Sequence, residues 1–332
     1  MNNTRILEKQ KNRNQFQPNG KKYFIETYGC QMNVSDSELV SSILNNQGYT
    51  VTENPVLADV IFINTCAIRD HAEEKVNSQL GRFDLIKKKK PNTIIGVLGC
   101  MAQSLKHDLL ENKPFVDIII GPDSYRKLPK ILNRDNNIKS IVDTKLSRFE
   151  VYDDLFPKRK GGVNAWVSIT RGCDKFCTFC IVPFTRGRER SREIESILLE
   201  IEQAVFDGYT EITLLGQNVN SYKSKNNRFH NLLEEISKIS GLKRIRYTSP
   251  HPKDMSDKVI EVMAKYDNIC NSIHLPLQAG SNRILKRMNR TYSKEDFIEL
   301  AKKIKKRIPN VGLSTDIIVG FPGETGSDFK ET

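Results

Sequence analysis

The sequence predicts an α/β protein in two parts, a doubly wound parallel sheet followed by an incomplete β/α barrel. Three observations carry that prediction. Short runs rich in Val, Ile and Leu alternate with longer helical stretches along most of the chain, the pattern of repeated strand–helix units. The alternation breaks once, where mixed charge is joined by Pro157 and Gly161-Gly162. Beyond that break, strand–helix units separated by single turns resume, as in a barrel whose chemistry gathers at the carboxyl ends of its strands.

In chain order, residues 1–20 carry few large apolar groups and predict a disordered basic tail. Residues 21–140 form the first domain. Tyr23–Thr27 predicts a strand, and Ser35-Asp36-Ser37-Glu38 reads as a capping box opening a helix that closes near Gly48. Further strands are expected at Val60–Asn64, Ile94–Leu98 and Val116–Ile120, with helices at about 69–90, 103–112 and 125–134. Residues 141–160 read as a linker. From 161 to 332 strands are expected at Val163–Thr170, Glu211–Leu215, Lys243–Thr248, Ser272–Leu275 and Gly312–Val319. Helices are expected at Glu193–Asp207, Leu232–Ile239, Ser256–Lys265 and from Ser281 to Arg307, the last broken around Arg290–Ser293. Five barrel strands followed by the opening of a helix at Ser327–Thr332 predict that the barrel is incomplete and the sequence a fragment.

The chain has 332 residues, 38% hydrophobic and 28% charged, enough to bury sizeable cores. Neither a membrane-length apolar run nor a secretory h-region is present, and an odd seven cysteines argue against a disulfide scaffold, so a reducing, cytoplasmic setting is expected. A formal charge of +12 favours a polyanionic partner. The charge is clustered at Lys87–Lys90, Lys158–Lys160, Arg186–Arg192, Lys243–Arg246 and Lys302–Arg307.

Three of the seven cysteines fall within eight positions, Cys173, Cys177 and Cys180, spaced C-x3-C-x2-C directly after an apolar strand. A structural zinc site wants a fourth Cys or His close by. None follows, and three thiolates suit a [4Fe-4S] cube with one iron left open; a zinc knuckle is the alternative. In the first domain Cys30, Cys66 and Cys100 each follow a predicted strand. In a parallel sheet those positions share one edge, so the three thiols would converge into a second cluster site. Buried structural cysteines are the competing reading. Cys270, in an apolar run with no cysteine near it, reads as a buried structural thiol in preference to a ligand.

The Cys173/Cys177/Cys180 tripod, with Phe179 before its last cysteine, resembles the signature of the radical S-adenosylmethionine superfamily. Cys30-Gln31-Met32-Asn33, Asn64-Thr65-Cys66, Gly99-Cys100-Met101-Ala102-Gln103 and Gly320-Phe321-Pro322-Gly323-Glu324-Thr325 extend that resemblance to its methylthiotransferases. Tyr28–Asn33 and Leu277–Asn282 are like the branch that converts N6-dimethylallyladenosine at position 37 of tRNA to its 2-methylthio form. The resemblance implies an auxiliary [4Fe-4S] cluster on Cys30, Cys66 and Cys100, and a radical cluster on Cys173, Cys177 and Cys180. It further implies S-adenosylmethionine as cofactor, the anticodon stem-loop of tRNA as partner, and a reductant such as flavodoxin or ferredoxin. Against that resemblance, the sequence is expected to lack the rest of the barrel and the small RNA-binding domain, called TRAM, that ends such proteins. By barrel position and likeness, Phe179, Gly216, Gln217, Asn218, Ser249, Gln278, Gly320 and Gly323 are expected to contact S-adenosylmethionine. Sister activities on threonylcarbamoyl-adenosine or a ribosomal protein, and a non-catalytic metal-bearing RNA-binding module, are the alternatives.

Overall fold

The computed structural model describes residues 17–66, 70–134 and 140–332, so the predicted tail lies almost wholly outside the described residues. The chain divides into two compact units, Met1–Lys160 with Phe184–Gly187, and Gly161–Pro183 with Arg188–Thr332.

The first unit holds six parallel strands, β1 (Lys22–Thr27), β2 (Thr50–Val51), β3 (Val60–Thr65), β4 (Ile94–Leu98), β5 (Ile118–Ile120) and β6 (Ile141–Asp143), in the order β2-β1-β3-β4-β5-β6. Helices α1 (Gln31–Asn45), α2 (Asp70–Lys89), α3 (Gly99–Asn112) and α4 (Leu128–Leu132) connect them. Side-chain alternation decides the layering. Val60 and Phe62 join Leu39, Val40, Ile43 and Leu44 of α1 and Ile131 of α4 in one core. Ile61 and Ile63 join Leu80 and Phe83 of α2 and Met101 and Leu109 of α3 in the other. All six residues of β3 are buried, as a central strand covered on both faces requires.

Two expectations are corrected here. The helix does not open at a Ser35 capping box; it begins four residues earlier behind Cys30. The Ser37 hydroxyl is 2.7 Å from that of Thr27 and accepts from Asn64 Nδ2 (2.9 Å), so its polar atom serves a tertiary contact instead of a helix end. The stretch expected as a linker contributes β6, which pairs with β5, and Tyr152, which is buried against Tyr125 with ring centroids 6.0 Å apart.

The second unit carries an arc of parallel strands, β7 (Asn164–Ser168), β10 (Glu211–Leu215), β13 (Arg244–Tyr247), β14 (Ser272–His274) and β15 (Gly312–Ser314). Strands β7, β10 and β13 pair in register, and β14 pairs with β15. Parallel bridges at Ile245–Ile269 and Gln278–Ile317 continue the arc. Short antiparallel pairs, β8 (Thr170–Arg171) with β9 (Arg190–Ser191) and β11 (Lys223–Ser224) with β12 (Asn227–Arg228), decorate it. Helices α5 (Ile194–Phe206), α6 (Phe229–Ser237), α7 (Asp257–Lys265) and α9 (Lys294–Arg307) enclose one core with the strands. The predicted break before α9 is present: α8 (Asn282–Arg287) ends, and Ser293 caps α9 by accepting from Asp296 N at 3.1 Å. A last helix, α10 (Gly326–Glu331), opens on a Thr325–Asp328 capping box.

Candidate iron–sulfur centres

In the first unit the strand order reverses between β1 and β3, because the chain leaves β1 toward β2 and then returns to the other side. Such a switch point opens a crevice at the carboxyl edge of a parallel sheet. Cys30 follows β1 and caps α1, Cys66 follows β3, and Cys100 is the second residue of α3 directly after β4. The topology therefore brings to one edge the three cysteines that the sequence places about seventy residues apart. Cys30 is exposed and Cys66 and Cys100 are buried.

Buried amides hold that edge together. Asn64 Nδ2 donates to Asn33 O (2.9 Å) and Ser37 Oγ (2.9 Å), while Asn33 Nδ2 donates to Asn64 Oδ1 (3.3 Å). Cys30 Sγ lies 3.4 Å from Asn33 Oδ1. Two glycines permit the approach. A Cβ on Gly99 (φ +86°) would stand 2.3 Å from Asn64 Oδ1, and one on Gly29 (φ +111°) 2.8 Å from Cys66 Cβ. Arg186, 3% exposed, also reaches this edge: Nε donates to Cys100 Sγ at 3.2 Å and Nη2 to Asp36 Oδ2 at 2.9 Å.

In the second unit Cys173, Cys177 and Cys180 occupy the loop after β8. The loop is fixed by its neighbours. Gly172 N donates to Gln217 Oε1 (2.6 Å), Thr178 N to Met288 O (3.2 Å), and Asn289 Nδ2 to Phe176 O (2.9 Å) and Lys175 O (3.2 Å). Arg290 Nη1 donates to Cys177 Sγ at 3.3 Å. Burial pushes the Cys173 thiol up to about 11 and raises Cys180 as well. Nearby His251 is held neutral, lowered to about 3 by burial and then by the Arg290 charge.

All seven cysteines are free thiols. Among the described residues no three His, Cys, Asp or Glu side chains already stand at metal-site spacing. The fit to iron–sulfur centres therefore rests on donor chemistry. Each unit offers three soft sulfur donors at one edge, each set has a guanidinium on one sulfur, and the buried Nη1 of Arg186 has no partner. Three thiolates per cube suit this arrangement.

The expected cofactor contacts also sit at the carboxyl ends of the barrel strands, with differing local duties. Gln217 is engaged by the cysteine loop, and Gly216 leaves room for the Thr170 hydroxyl, 2.1 Å from where a Cβ would stand. Asn218 Nδ2 donates to Asp254 (2.7 Å), while its buried Oδ1 has no partner. Gln278 lies in the backbone ladder with Asp316 and Ile318, Ser249 takes φ +57°, and Phe179 is exposed. Gly320 N donates to Glu324, and a Cβ on Gly323 would meet the Arg287 guanidinium at 2.7 Å. The basic clusters are partly committed inside the protein. Lys87 pairs with Asp117, Lys88 with Asp84, Lys90 with Asp59, and Arg244 and Arg246 with Glu211, whereas Lys302, Lys305 and Lys306 are exposed on α9. Cys270 is partly exposed rather than buried, and it carries no cysteine partner. Sequence reasoning did not single out Asp36, Arg186, Asn289 or Arg290 for these roles. Asn289 and Arg290 left a partial signal, in the predicted helix break that begins at Arg290.

Residues 167–332 match the radical SAM superfamily, and residues 22–121 match the uncharacterized protein family UPF0004. The chain is 48% identical to a tRNA-2-methylthio-N(6)-dimethylallyladenosine synthase of Chloroherpeton thalassium over 93% of its length and 69% of the relative's. It is 49% identical to the Bacteroides fragilis protein of the same name, over 94% of this chain and 70% of that one. Among solved structures, the radical S-adenosylmethionine methyltransferase TsrM of Kitasatospora setae superposes with a TM-score of 0.67 at 13% identity, covering 93% of this chain and 69% of that one. The cobalamin-dependent S-adenosylmethionine radical enzyme OxsB gives 0.70 at 15%, covering 94% and 51%. These two share the fold. With its near-half identity over most of its length, the chain belongs to the radical S-adenosylmethionine methylthiotransferase family.

Proposed function

We propose that this protein methylthiolates carbon 2 of N6-dimethylallyladenosine at position 37 of tRNA, using two [4Fe-4S] centres and S-adenosylmethionine. The observation that carries this reading is the pairing of two three-cysteine edges, one on each unit, in a chain of this family. Carbon 2 of adenine bears a hydrogen too weakly acidic for a side-chain base. The bound centres and S-adenosylmethionine supply the one-electron chemistry that acid–base groups lack.

The chain's own residues bind and orient. Cys173, Cys177 and Cys180 are assigned to the centre that engages S-adenosylmethionine, and Cys30, Cys66 and Cys100 to the auxiliary centre. Gln217 positions the cysteine loop through Gly172, and the open Oδ1 of Asn218 offers an acceptor for an ammonium group. Phe179, Gly216, Ser249, Gln278, Gly320 and Gly323 complete the proposed cofactor surface. Exposed lysines such as those of α9 are assigned to tRNA phosphates, with the single-stranded anticodon loop presenting the base. A reductant of the flavodoxin or ferredoxin class and a cytoplasmic location complete the reading.

Selectivity for the prenylated base follows from burial. Five apolar carbons at about 0.8 kcal/mol per buried CH2 are enough to favour it over plain adenosine by a few kcal/mol. The test supplies equal amounts of tRNA bearing dimethylallyl-adenosine, threonylcarbamoyl-adenosine or unmodified adenosine, with dithionite and S-adenosylmethionine under anaerobic conditions. Methylthio product on the dimethylallyl tRNA supports the assignment. Product on the threonylcarbamoyl tRNA alone moves the protein to the sister branch, and equal product on unmodified tRNA removes the burial argument.

A further inference from the structure

We infer that Arg186 is a positioning and potential-setting residue of the auxiliary centre: its guanidinium is anchored by Asp36 on one side and donates to Cys100 Sγ, one of the three proposed cluster sulfurs, on the other. The inference rests on the reading that those three cysteines hold a cluster. Arg186 is 3% exposed and Asp36 fully buried. Burying a guanidinium is costly unless its charge and its donors are met. Asp36 meets Nη2, and Cys100 Sγ receives Nε, yet a thiol sulfur is a weak acceptor. Nη1 is buried with no partner at all. A buried orphan donor on a charged group is costly, because it has given up its water without gaining an acceptor.

Both features make sense once the three sulfurs are thiolates on an iron–sulfur core. The Nε contact then becomes a charge-assisted bond. The bond to Asp36 holds the fork with Nε toward Cys100 Sγ. Hydrogen bonds and positive charge beside cluster sulfurs stabilise the reduced, more negative state and so raise the reduction potential. A residue that merely closed an ion pair with Asp36 would leave the potential unchanged.

The experiment uses the full chain carrying Cys173→Ala, Cys177→Ala and Cys180→Ala, so that any bound cluster belongs to the first unit. Iron content and the reduction midpoint, read by electron paramagnetic resonance during a redox titration, are compared for Arg186, Arg186→Lys and Arg186→Met. Because Arg186→Met removes the 2.9 Å bond from Nη2 to the buried Asp36 carboxylate, the double variant Asp36→Asn/Arg186→Met is measured beside it. The midpoint is expected to fall in Arg186→Met and in the double variant, with Arg186→Lys between them and the parent. A cluster that assembles with the parental midpoint in the double variant or in Arg186→Met overturns the inference about Arg186 alone. Absence of iron from the parent itself overturns the auxiliary-centre reading together with it.

Discussion

Gly99→Ala is the sharpest probe of how the first unit is built. Its φ of +86° lies where a Cβ is strained, and that Cβ would stand 2.3 Å from Asn64 Oδ1 and 3.0 Å from Thr65 O. The left-handed backbone costs about 1–2 kcal/mol and the overpacking about 1–3 kcal/mol more, giving roughly 2–5 kcal/mol in all. At about 2–4 °C per kcal/mol for a unit of this size, its melting temperature should fall by about 4–20 °C. Asn64 must move to make room, which breaks its bond with Asn33 and displaces Cys100 next door. Iron should therefore drop from about eight toward about four per chain, since only one four-iron centre is touched. The matched control is Gly81→Ala, exposed inside α2 with nothing within 4 Å of the new Cβ. It should gain up to about 1 kcal/mol from helix propensity and keep its iron. Calorimetry and iron analysis of both variants decide it, and an unchanged melting temperature with full iron in Gly99→Ala would refute the packing argument.

Three further outcomes are expected. His251 is neutral and buried in the fold, its value lowered from 6.5 to about 3, so the unfolded chain binds the extra proton in between. Its contribution is whole above about pH 6.5 and is lost as pH falls toward about 3, at most a few kcal/mol; His251→Asn should flatten the second unit's stability over that range, and an unaltered slope argues against the assignment. Asn289→Ala removes two bonds to the cysteine loop and strains a residue at φ +56°, costing roughly 1–3 kcal/mol, so the second centre should lose iron to a chelator faster than in Asn289→Gly, which keeps the backbone free. Binding to an anticodon stem-loop should weaken steeply with salt, as contacts from basic side chains to phosphate require, and tight salt-independent binding in a titration would contradict that.

What could be read in the sequence was what local periodicity and spacing encode. Both faces of β3 are buried, so Val60–Thr65 is an unbroken apolar run until its end, and the cysteine positions follow from strand ends alone. The two- and three-residue strands β2 and β6 escaped because they are both short and partly exposed, so they show neither a period of two nor a buried apolar run such as the Ile-Ile-Ile of the equally short β5. The start of α1 was misplaced because Cys30 caps it without a side-chain bond, leaving Ser35 to imitate a cap. Arg186 and Arg290 were beyond reach for another reason: they meet their sulfurs across 86 and 113 residues, and no local pattern records such a pairing.

The most direct test of two centres with divided roles is anaerobic reconstitution of the protein and of its two triple cysteine-to-alanine variants, read by iron count and by reductive cleavage of S-adenosylmethionine. The parent should hold about eight irons and each variant about four. Cleavage should vanish when Cys173, Cys177 and Cys180 are replaced and persist when Cys30, Cys66 and Cys100 are. A folded Cys30/Cys66/Cys100 variant that loses cleavage, or a parent that binds zinc with little iron, would contradict the account.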